Sequence, residues 1–588
     1  MHENETSDAA STGSGWNRRD LLRAASSVVL LSTAGCCSPG PVPPPPKVGG
    51  GATGIDIHCH VFNARDIPIA GFVADVVLQG VPLAGIALQP LIVLIAMTMD
   101  ACTWTPQKEL DEIRSGSVRA LPLIELAPDA VRAQVQQRTA GAIKLFQSRG
   151  GRYSEFSRQA ATYLQAAGQE RDLRTETRDD DAHLLRTLTS RAGAPTTTRG
   201  RDLRIGEIDA NVAAQGITAI DDGIYGTFLL ASLVTERRGD LVHRLSRLPA
   251  VAADAESIAM YNPALVDYSY WLDDHKVSSL GEQIGVMSAI AAMQSPTYAV
   301  HPWVSFCPWR QLVEPGQFAL VQDGVRTKGF IGVKLYPVMG FRPIGNAGAP
   351  DAMRYPKRLR DLPHWDSRMD AALSGLYDWC VEENVPIMAH CSFSQFPGTD
   401  AGLRGAPAEW ENVLKQSRWR DLRLNLGHLG GFWDLAKASS NGWTAQAVAM
   451  LRNYPNVYAD AADDSDIVER TASAGKDDQA ELAQLAVLLG GSAAGLPPRK
   501  KLMYGTDWVM LSRSLGIEAY LADMRDRFAG RLAIEPADFL GLNASRFLGL
   551  NLPRPADKNT KSTTQRLEDF YAASGRSADF LKRWQPES

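Results

Sequence analysis

Cysteine is sparse in this chain and supplies no framework. The 588 residues contain seven cysteines, and none stands in the CxxC pairs that structural zinc sites use, so the sequence predicts no disulfide scaffold and no structural zinc domain. Neither sign of charge dominates, because 61 Lys and Arg stand against 66 Asp and Glu for a net charge of −5. A nucleic-acid partner is therefore not expected, and a small-molecule substrate fits better.

The chain also lacks a phosphate-binding glycine loop, a dinucleotide fingerprint after a strand, and any repeat of fixed period. A nucleotide cofactor is therefore not indicated. Hydrophobic residues make up 45% and charged residues 22% of the chain, values that are ordinary for globular proteins and that argue against extensive disorder. At roughly 150 residues per domain the length predicts about four units, a number that a barrel with insertions reduces to one or two.

The N-terminal segment, residues 1–37, has the pattern of an export signal. Arg18 and Arg19 precede two leucines and Arg23, which resembles a twin-arginine signal. The uncharged run that follows is about 11 residues long, whereas roughly 20 are needed to cross a bilayer; a buried core helix is the alternative. Cys36 follows Ala-Gly as in a lipoprotein processing site, although Thr33 replaces the usual leucine. We expect export to the periplasm, with Cys36 as the candidate lipidation site.

Residues 38–51 contain six prolines and four glycines. This composition favours extended and flexible backbone and resists packing. The segment is therefore expected to be a tether between a membrane anchor and a globular part that begins near residue 52.

Eight short apolar runs predict strands. The first contains Asp-Ile-His-Cys-His, in which strand alternation places His58 and His60 on one face. Helical segments such as 370–383 and 444–453 separate several of the runs, as in a parallel sheet. The chain is therefore expected to be α/β, a (β/α)₈ TIM barrel with a large, mostly helical insertion after the first strand. The remaining runs are 264–270, 299–306, 330–336, 385–390, 422–428, 457–460 and 501–507.

The ends of these runs carry the residues with catalytic chemistry. His390, His428 and Asp507 each close a run, at the end of the strands where barrel enzymes place their active sites. A lone His-x-His is a weak signal for a metal. The whole set, however, places four of the ten histidines together with Asp507 at one end of the expected barrel, namely His58, His60, His390 and His428. This set predicts a metal site.

The barrel is expected over 52–66 and 260–550, with an insertion over 67–259. Residues 67–99 contain one charge and are broken by Pro82 and Pro90, so a buried apolar hairpin or a dimer contact is favoured over a membrane span or interfacial contact. Residues 100–259 are rich in charge with helical spacing over 129–147 and 153–169, which predicts a helical cap. A polar tail, 551–588, has helical potential over 563–573. We expect a homo-oligomer.

Six stretches carry a family resemblance. They are Asp-Ile-His-Cys-His-Val-Phe at 56–62, Gly-Val-Lys-Leu-Tyr-Pro at 332–337, Ala-His at 389–390, Gly-His at 427–428, Tyr-Gly-Thr-Asp-Trp at 504–508 and Asn-Ala-Ser-Arg-Phe-Leu-Gly-Leu at 543–550. Here the chain resembles the amidohydrolase superfamily, in its amidohydrolase-related branch that includes aminocarboxymuconate semialdehyde decarboxylase. The resemblance covers about 52–66 and 260–550. It implies one divalent metal per chain, most often Zn²⁺, bound by His58, His60, His390 and Asp507, with His428 close by.

Such a site supports metal-assisted attack on a carbon centre. Imidazoles and a carboxylate suit Zn²⁺, which lowers the pKa of a bound water toward about 7. Asp507 would accept the water's proton, and His428 would polarise the substrate carbonyl or stabilise the oxyanion. We expect a metal-dependent hydrolase of an amide, ester or lactone. A non-oxidative decarboxylase of a conjugated acid would use the same ligands, and a metal-binding exported lipoprotein is the non-enzymatic alternative.

Four further residues are candidates for substrate binding. The resemblance implies one possibility for Lys334, since some members of the superfamily carry a carboxylated lysine on the fourth strand that bridges two metals; the alternative is a buried amine that pairs with a carboxylate or a substrate anion. Arg342, just beyond the same run, is a candidate for bidentate binding of a substrate carboxylate, with a surface arginine as the alternative. Trp508 and Ser392 are expected to line the pocket.

Two other polar residues are expected to act more indirectly. Asp56 shares the strand face of His58 and His60, so it either hydrogen-bonds one of these histidines or is solvated at the start of the strand. His301 lies toward the opposite end of its run from the site, and a structural role is expected for it.

Overall fold

The computed structural model describes the strands and most of the helices of the expected barrel, and a small part of the insertion. The described residues are 53–68, 72, 103–115, 233–248, 258–272, 278–293, 298–348, 359, 361–393, 401–432, 442–463, 476–491, 495–513, 520–551 and 561–584. The segments 1–37 and 38–51, and the predicted helices over 129–147 and 153–169, lie outside them. In the described part, no helix is long and apolar enough to cross a membrane.

The described residues form nine strands in two sheets, and every pairing is parallel. The strand order in each sheet follows the chain, as in repeated βα units. The chain is therefore α/β, as expected. The first sheet contains β1 (Gly54–Cys59), β2 (Ile258–Pro263) and β3 (Ala299–Val300). The second contains β4 (Trp303–Ser305), β5 (Gly332–Leu335), β6 (Ile387–His390), β7 (Leu424–Gly427), β8 (Val457–Asp460) and β9 (Leu502–Met503).

Helices connect the strands. Each of β2 and β4 to β8 is followed by at least one helix before the next strand, and the expected helical segments 370–383 and 444–453 are confirmed. The helices are α1 (Pro106–Ser115), α2 (Arg238–Leu245), α3 (Leu280–Ala292), α4 (Pro308–Gln311), α5 (Gln317–Thr327), α6 (Trp365–Glu382), α7 (Pro407–Leu414), α8 (Trp443–Asn453), α9 (Lys476–Leu489), α10 (Tyr520–Asp523), α11 (Asn543–Leu548) and α12 (Thr563–Ala573).

Strands β3 and β4 are two halves of one predicted run, 299–306. Pro302 separates them because proline has no N–H to donate to a ladder. The backbone remains extended, since the His301 N–H donates to Tyr261 O (3.0 Å) and Pro302 O accepts from the Ile331 N–H (2.9 Å). A parallel bridge between Ala264 and Trp303 also joins the two sheets.

The segment after β9 lies along the other side of β1. The Ile57 N–H donates to Tyr504 O (3.2 Å), and the N–H groups of Thr506 and Asp507 donate to His58 O (3.0 and 2.8 Å). Strand β1 therefore has a hydrogen-bonded neighbour on each side. This arrangement brings residues from opposite ends of the chain together at His58.

The second predicted strand, 264–270, is wrong. Strand β2 is Ile258–Pro263, and the chain leaves the sheet after Ala264. The predicted stretch alternates apolar and polar residues as a strand does, but Tyr268 is buried by packing on aromatic rings outside the stretch instead of by strand pairing. Tyr268 lies edge-on to Trp271 (5.1 Å between centroids) and to Tyr336 (5.4 Å).

The last predicted run, 501–507, forms a strand only over Leu502–Met503. His428 follows β7 directly, and Asp507 lies four residues beyond β9. Of the three residues expected to close their strands, His390 alone does so. The other two stand on connecting segments, where side-chain direction is not tied to the pleat of the sheet.

Two described helices between β1 and β2 in the chain, α1 and α2, are joined to the segment after β1 by a buried ion cluster. Arg238, which is fully buried, donates to Asp66 (Nε to Oδ2, 2.8 Å) and to Glu109 (Nη1 to Oε1, 2.6 Å). A buried guanidinium requires such partners, because an unpaired charge in the interior costs several kcal/mol (about 3 to 5 when one partner is removed). Most of the expected apolar hairpin over 67–99 lies outside the described residues.

The C-terminal tail packs on the sheet end opposite the predicted metal residues. Helix α12 spans Thr563–Ala573, which confirms the prediction. The Tyr571 hydroxyl is 2.9 Å from His301 Nε2, while His301 Nδ1 is 2.9 Å from Gly329 O. The Trp584 indole N–H donates to Thr53 O (2.8 Å). His301 is thus structural, as expected.

Candidate metal centre

Three of the four predicted ligands converge at the carboxyl end of β1. His58 Nε2 and His60 Nε2 lie 3.3 and 3.1 Å from the same oxygen, Oδ1 of Asp507. The three donor atoms are within 4.8 Å of one another, and all three residues are buried. Two imidazole nitrogens and a carboxylate oxygen at this spacing are a donor set that a divalent ion such as Zn²⁺ accepts.

The backbone around Asp507 is fixed to β1. Asp507 has a left-handed φ of 51°, which is uncommon for a residue with a side chain and persists only where the surroundings impose it. Here Asp56 accepts hydrogen bonds from the Thr506 N–H (3.1 Å) and hydroxyl (2.7 Å). Asp56 is therefore buried rather than solvated; it accepts a hydrogen bond from the backbone N–H of His58, and it also anchors the segment that carries Asp507. Burial raises the pKa of Asp56 to about 8.

The two histidines of β1 are each held by their other ring nitrogen. His60 Nδ1 is 3.0 Å from Ala264 O, and since a carbonyl only accepts, this nitrogen carries the proton. His58 Nδ1 is 3.1 Å from both oxygens of Asp460. Both rings therefore turn an unprotonated Nε2 toward Asp507, as metal-ligating histidines do when a carbonyl or carboxylate orients them.

Asp460 is a residue of the site that the sequence interpretation missed. It is the last residue of β8 and fully buried. The signal that selected His390, a polar residue closing a predicted strand, applied to Asp460 as well. Its importance is evident only in the structure, which places it against His58, 402 residues away in sequence.

His428 is set between this carboxylate and the cavity. Its φ is 68°, its N–H donates to Asp460 Oδ1 (3.0 Å), and its Nδ1 is 2.9 Å from Ala462 O. The ring centroid is 4.8 Å from those of His58 and His390. Because Nδ1 donates to a carbonyl, Nε2 of the neutral ring is an acceptor, and it contacts no hydrogen-bond partner among the described residues.

His390 closes β6 beside His428. Its ring stacks on Tyr336 (4.7 Å between centroids, 17° between planes). Neither of its buried ring nitrogens has a hydrogen-bond partner in the described part of the chain, and a buried polar atom without a partner calls for an explanation such as an ion. Burial, with the charges of His428 and Lys334, lowers its pKa well below the usual value. His390 remains a predicted ligand.

Lys334 lies next to the ligand cluster, and the cavity does not reach its side chain. Its Nζ is 3.0 Å from His58 Nε2 and 4.9 Å from the centre of the Tyr336 ring. Burial lowers the pKa of Lys334 to about 8. An amine at this position is thus within reach of a metal ligand, and both expectations for Lys334, carboxylation and a buried amine, stay open.

The ionisation of the cluster suits metal binding, which requires neutral imidazoles and ionised carboxylates. Burial and the charge of Lys334 lower the pKa of His58 to about 4. Burial opposes ionisation of Asp507, but a proton on His60 or His58 would attract its carboxylate, and its pKa lies below the usual range. The pKa of Asp460 is also lowered, because the Nδ1–H of His58 faces its oxygens.

A cavity of about 270 Å³ opens beside these residues. Ser392 lines it, as expected. Arg342 and Trp508 are not among the described residues that line it: the Arg342 guanidinium lies 3.5 Å from the Glu409 carboxylate, and Trp508 is buried in the core. The lining residues are His60, Phe62, Phe72, Tyr268, Trp271, Tyr336, His390, Ser392, Phe393, His428, Gly431, Phe432, Ala462, Asp463, Asp507 and Met510.

The match to a protein-family model agrees with the motif analysis. Residues 319–550 match a family model described as Amidohydrolase, a region that contains β5 to β9 with His390, His428 and Asp507. A solved structure from Pseudomonas putida, provisionally described as a 2-pyrone-4,6-dicarboxylic acid hydrolase, is 12% identical, covers 51% of this chain and 85% of its own, and has a TM-score of 0.31. No curated protein matches the chain. The family-model match over 319–550 confirms the resemblance to the amidohydrolase superfamily.

Proposed function

We propose that this chain is a metal-dependent hydrolase of small carbonyl compounds, namely amides, esters or lactones. The observation that carries the proposal is the convergence of His58 Nε2 and His60 Nε2 on Asp507 Oδ1 at the wall of a cavity. A bound divalent ion would supply an activated water and polarise the carbonyl group. His58, His60, His390 and Asp507 would hold this ion, and we propose Zn²⁺ because the donors are nitrogen and carboxylate oxygen.

The residues of the chain would then divide the proton transfers. Asp507 is ionised and faces the cavity, so its carboxylate would accept a proton from the attacking water. His428 is fixed through Nδ1 to Ala462 O, which would leave Nε2 available to a bound substrate. In the neutral ring Nε2 is a proton acceptor. His428 would therefore first have to take up a proton before it could polarise a carbonyl oxygen or protonate a leaving group.

We also propose that the two sheets close into a (β/α)₈ barrel. Counting β3 and β4 as one strand gives eight. The bridge from Ala264 to Trp303 and the hydrogen bond from the Ile57 N–H to Tyr504 O link the sheets at both junctions. This arrangement supports a site at the carboxyl ends of the strands, where barrel enzymes carry their chemistry.

The described lining of the cavity favours hydrolysis over decarboxylation. It consists mainly of aromatic rings, with Asp463 and Asp507 as acidic groups, and contains no lysine or arginine among the described residues. A conjugated carboxylic acid is ordinarily bound by a cationic side chain. A small, flat and neutral carbonyl compound fits these walls better.

The remaining proposals rest on sequence patterns. We propose export by the twin-arginine route, a lipid anchor at Cys36 that holds the protein at the periplasmic membrane surface, and a homo-oligomer. Export would be tested by locating the full-length chain in cell fractions, and the anchor by loss of membrane association in Cys36→Ser.

The test of the proposed function combines metal analysis with turnover. Elemental analysis of protein purified without chelators should give about one zinc per chain, and two would favour Lys334 as a bridging ligand. Neutral aryl esters, lactones and anilides should be hydrolysed, and His58→Ala should abolish both metal binding and hydrolysis while the protein stays folded. Failure to take up zinc or manganese, or hydrolysis that survives His58→Ala, would refute the proposal, whereas metal uptake without hydrolysis of any of these compounds would favour the metal-binding lipoprotein.

A further inference from the structure

A single carboxylate touches two of the functional histidines. Asp460 contacts the side chain of His58 and the backbone of His428. It is also fully buried, with no part of its surface exposed. An ionised carboxylate at such a position is costly unless donors satisfy its oxygens. The groups that donate hydrogen bonds to Asp460 therefore indicate its role in the site.

The donors to Asp460 are specific to the site. Oδ1 accepts from the N–H groups of His428 (3.0 Å) and Ala462 (3.2 Å), and Oδ2 accepts from the Asn425 side-chain amide (2.7 Å). His58 Nδ1 lies 3.1 Å from both oxygens. Since an ionised carboxylate only accepts, His58 must carry its proton on Nδ1 and its lone pair on Nε2.

Asp460 contacts the backbone of His428, and this contact stabilises a turn instead of fixing a ring tautomer. His428 and the next residue, Leu429, both have left-handed φ values, 68° and 43°, in a region that residues with side chains enter at a cost of about 1 to 3 kcal/mol. The hydrogen bond from the His428 N–H to Asp460 helps to hold this turn. The imidazole of His428 is thereby placed 4.8 Å from that of His58.

We propose that Asp460 is a positioning residue that fixes His58 in its Nδ1–H tautomer and holds the backbone of His428, so that metal affinity and the placement of His428 depend on one carboxylate. The proposal rests on the metal site of the proposed function, but not on the reaction that the site carries out.

Asp460 could in principle ligate a metal itself, because it lies with His58 and His428 in a second group of donor atoms within 4.8 Å. Two observations argue against that role. Its oxygens already accept from three N–H groups besides His58, and a metal there would take the Nδ1 lone pair of His58. The Nε2 atoms of His58 and His60 would then no longer act together at Asp507.

The test is Asp460→Asn, which keeps the shape of the side chain and removes its charge. The new amide places an N–H group where Oδ2 stood, against Asn425. Asn425 can rotate to accept from it, because Asn425 Oδ1 has no hydrogen-bond partner among the described residues. The variant is therefore expected to fold. The matched control is Asp538→Asn, another buried carboxylate, which pairs with Lys500 and Arg546 away from the metal residues.

Two measurements on the full chain distinguish positioning from a merely structural role. Competition with a chelator should show Zn²⁺ and Co²⁺ affinity reduced by about 10- to 100-fold in Asp460→Asn, the range for loss of a carboxylate behind a histidine ligand, and unchanged in Asp538→Asn. Nitrogen-15 NMR of histidine-labelled, metal-free protein should show His58 as the Nδ1–H tautomer in the wild type and a shift toward Nε2–H in Asp460→Asn.

Each result bears on a different claim. Wild-type metal affinity with an unchanged His58 tautomer in Asp460→Asn would overturn the positioning role, even if the variant melts at a lower temperature. A wild-type chain that binds neither Zn²⁺ nor Co²⁺ would defeat the proposed function. In that case the tautomer of His58 in the two proteins would still decide whether Asp460 positions the ring.

Discussion

Replacing Gly505 by alanine adds one methyl group at a crowded point beside the metal residues. The new Cβ would lie 2.9 Å from His58 Cβ, 3.0 Å from Ala462 Cβ and 3.2 Å from His58 O. Carbon atoms in contact normally lie about 3.5 to 4.0 Å apart. Strand β1 and the segment carrying Asp507 must therefore separate by roughly half an ångström or more.

We expect Gly505→Ala to lower the free energy of unfolding by about 1 to 3 kcal/mol, the usual cost of adding a methyl group to a well-packed interior. The same movement separates His58 Nε2 from Asp507 Oδ1, which are 3.3 Å apart. Metal affinity should therefore fall as well, because the two ligands stand on the two segments that are forced apart.

Gly375→Ala is the matched control. Gly375 lies inside α6, and a Cβ there would meet nothing within 4 Å. Alanine is favoured over glycine in a helix interior, so this variant should gain about 0.5 to 1 kcal/mol. Urea denaturation with and without a chelator, together with zinc competition, measures both effects. A Gly505→Ala protein as stable and as tight for zinc as the wild type would refute the packing described here.

Three further predictions concern stability. Burial lowers the pKa of His301 from 6.5 to about 4, so the unfolded chain takes up the proton first as the pH falls. His301 therefore leaves the free energy of unfolding unchanged above pH 6.5 and lowers it by up to about 3 kcal/mol at pH 4. In His301→Gln the urea midpoint should depend less on pH over this range than in the wild type. Arg238→Ala leaves Asp66 and Glu109 buried without their common partner, so it should lower the free energy of unfolding by about 3 to 5 kcal/mol. Arg326→Ala removes one side of an exposed ion pair and should lower it by less than about 1 kcal/mol. Equal decreases in the two variants would contradict the argument from burial. Zinc at about 100 times its dissociation constant should raise the free energy of unfolding by about 2.7 kcal/mol, and no shift in the urea midpoint would mean that the folded site binds no metal.

Local pattern was sufficient for much of the fold. Strand β8 and helix α12 lie at their predicted residues, because a short apolar run and a capped amphipathic segment carry their own signals. The prediction of a strand over 264–270 was wrong because it also rested on local pattern. The alternation of this stretch is compatible with a strand, but local sequence does not say which of two neighbouring stretches pairs with β1. Only pairing with β1 and β3 selected Ile258–Pro263.

The sequence by itself determined which residues are candidates for metal chemistry, since His58, His60, His390, His428 and Asp507 were all identified from motifs and strand ends. Tertiary structure decided how they are held. Asp460 supports His58 from 402 residues away, Asp56 fixes the segment of Asp507, and neither Trp508 nor Arg342 is among the described residues that line the cavity. These contacts depend on strand register and on left-handed backbone at His428 and Asp507. Both are set by the packing of distant segments, which no local pattern encodes.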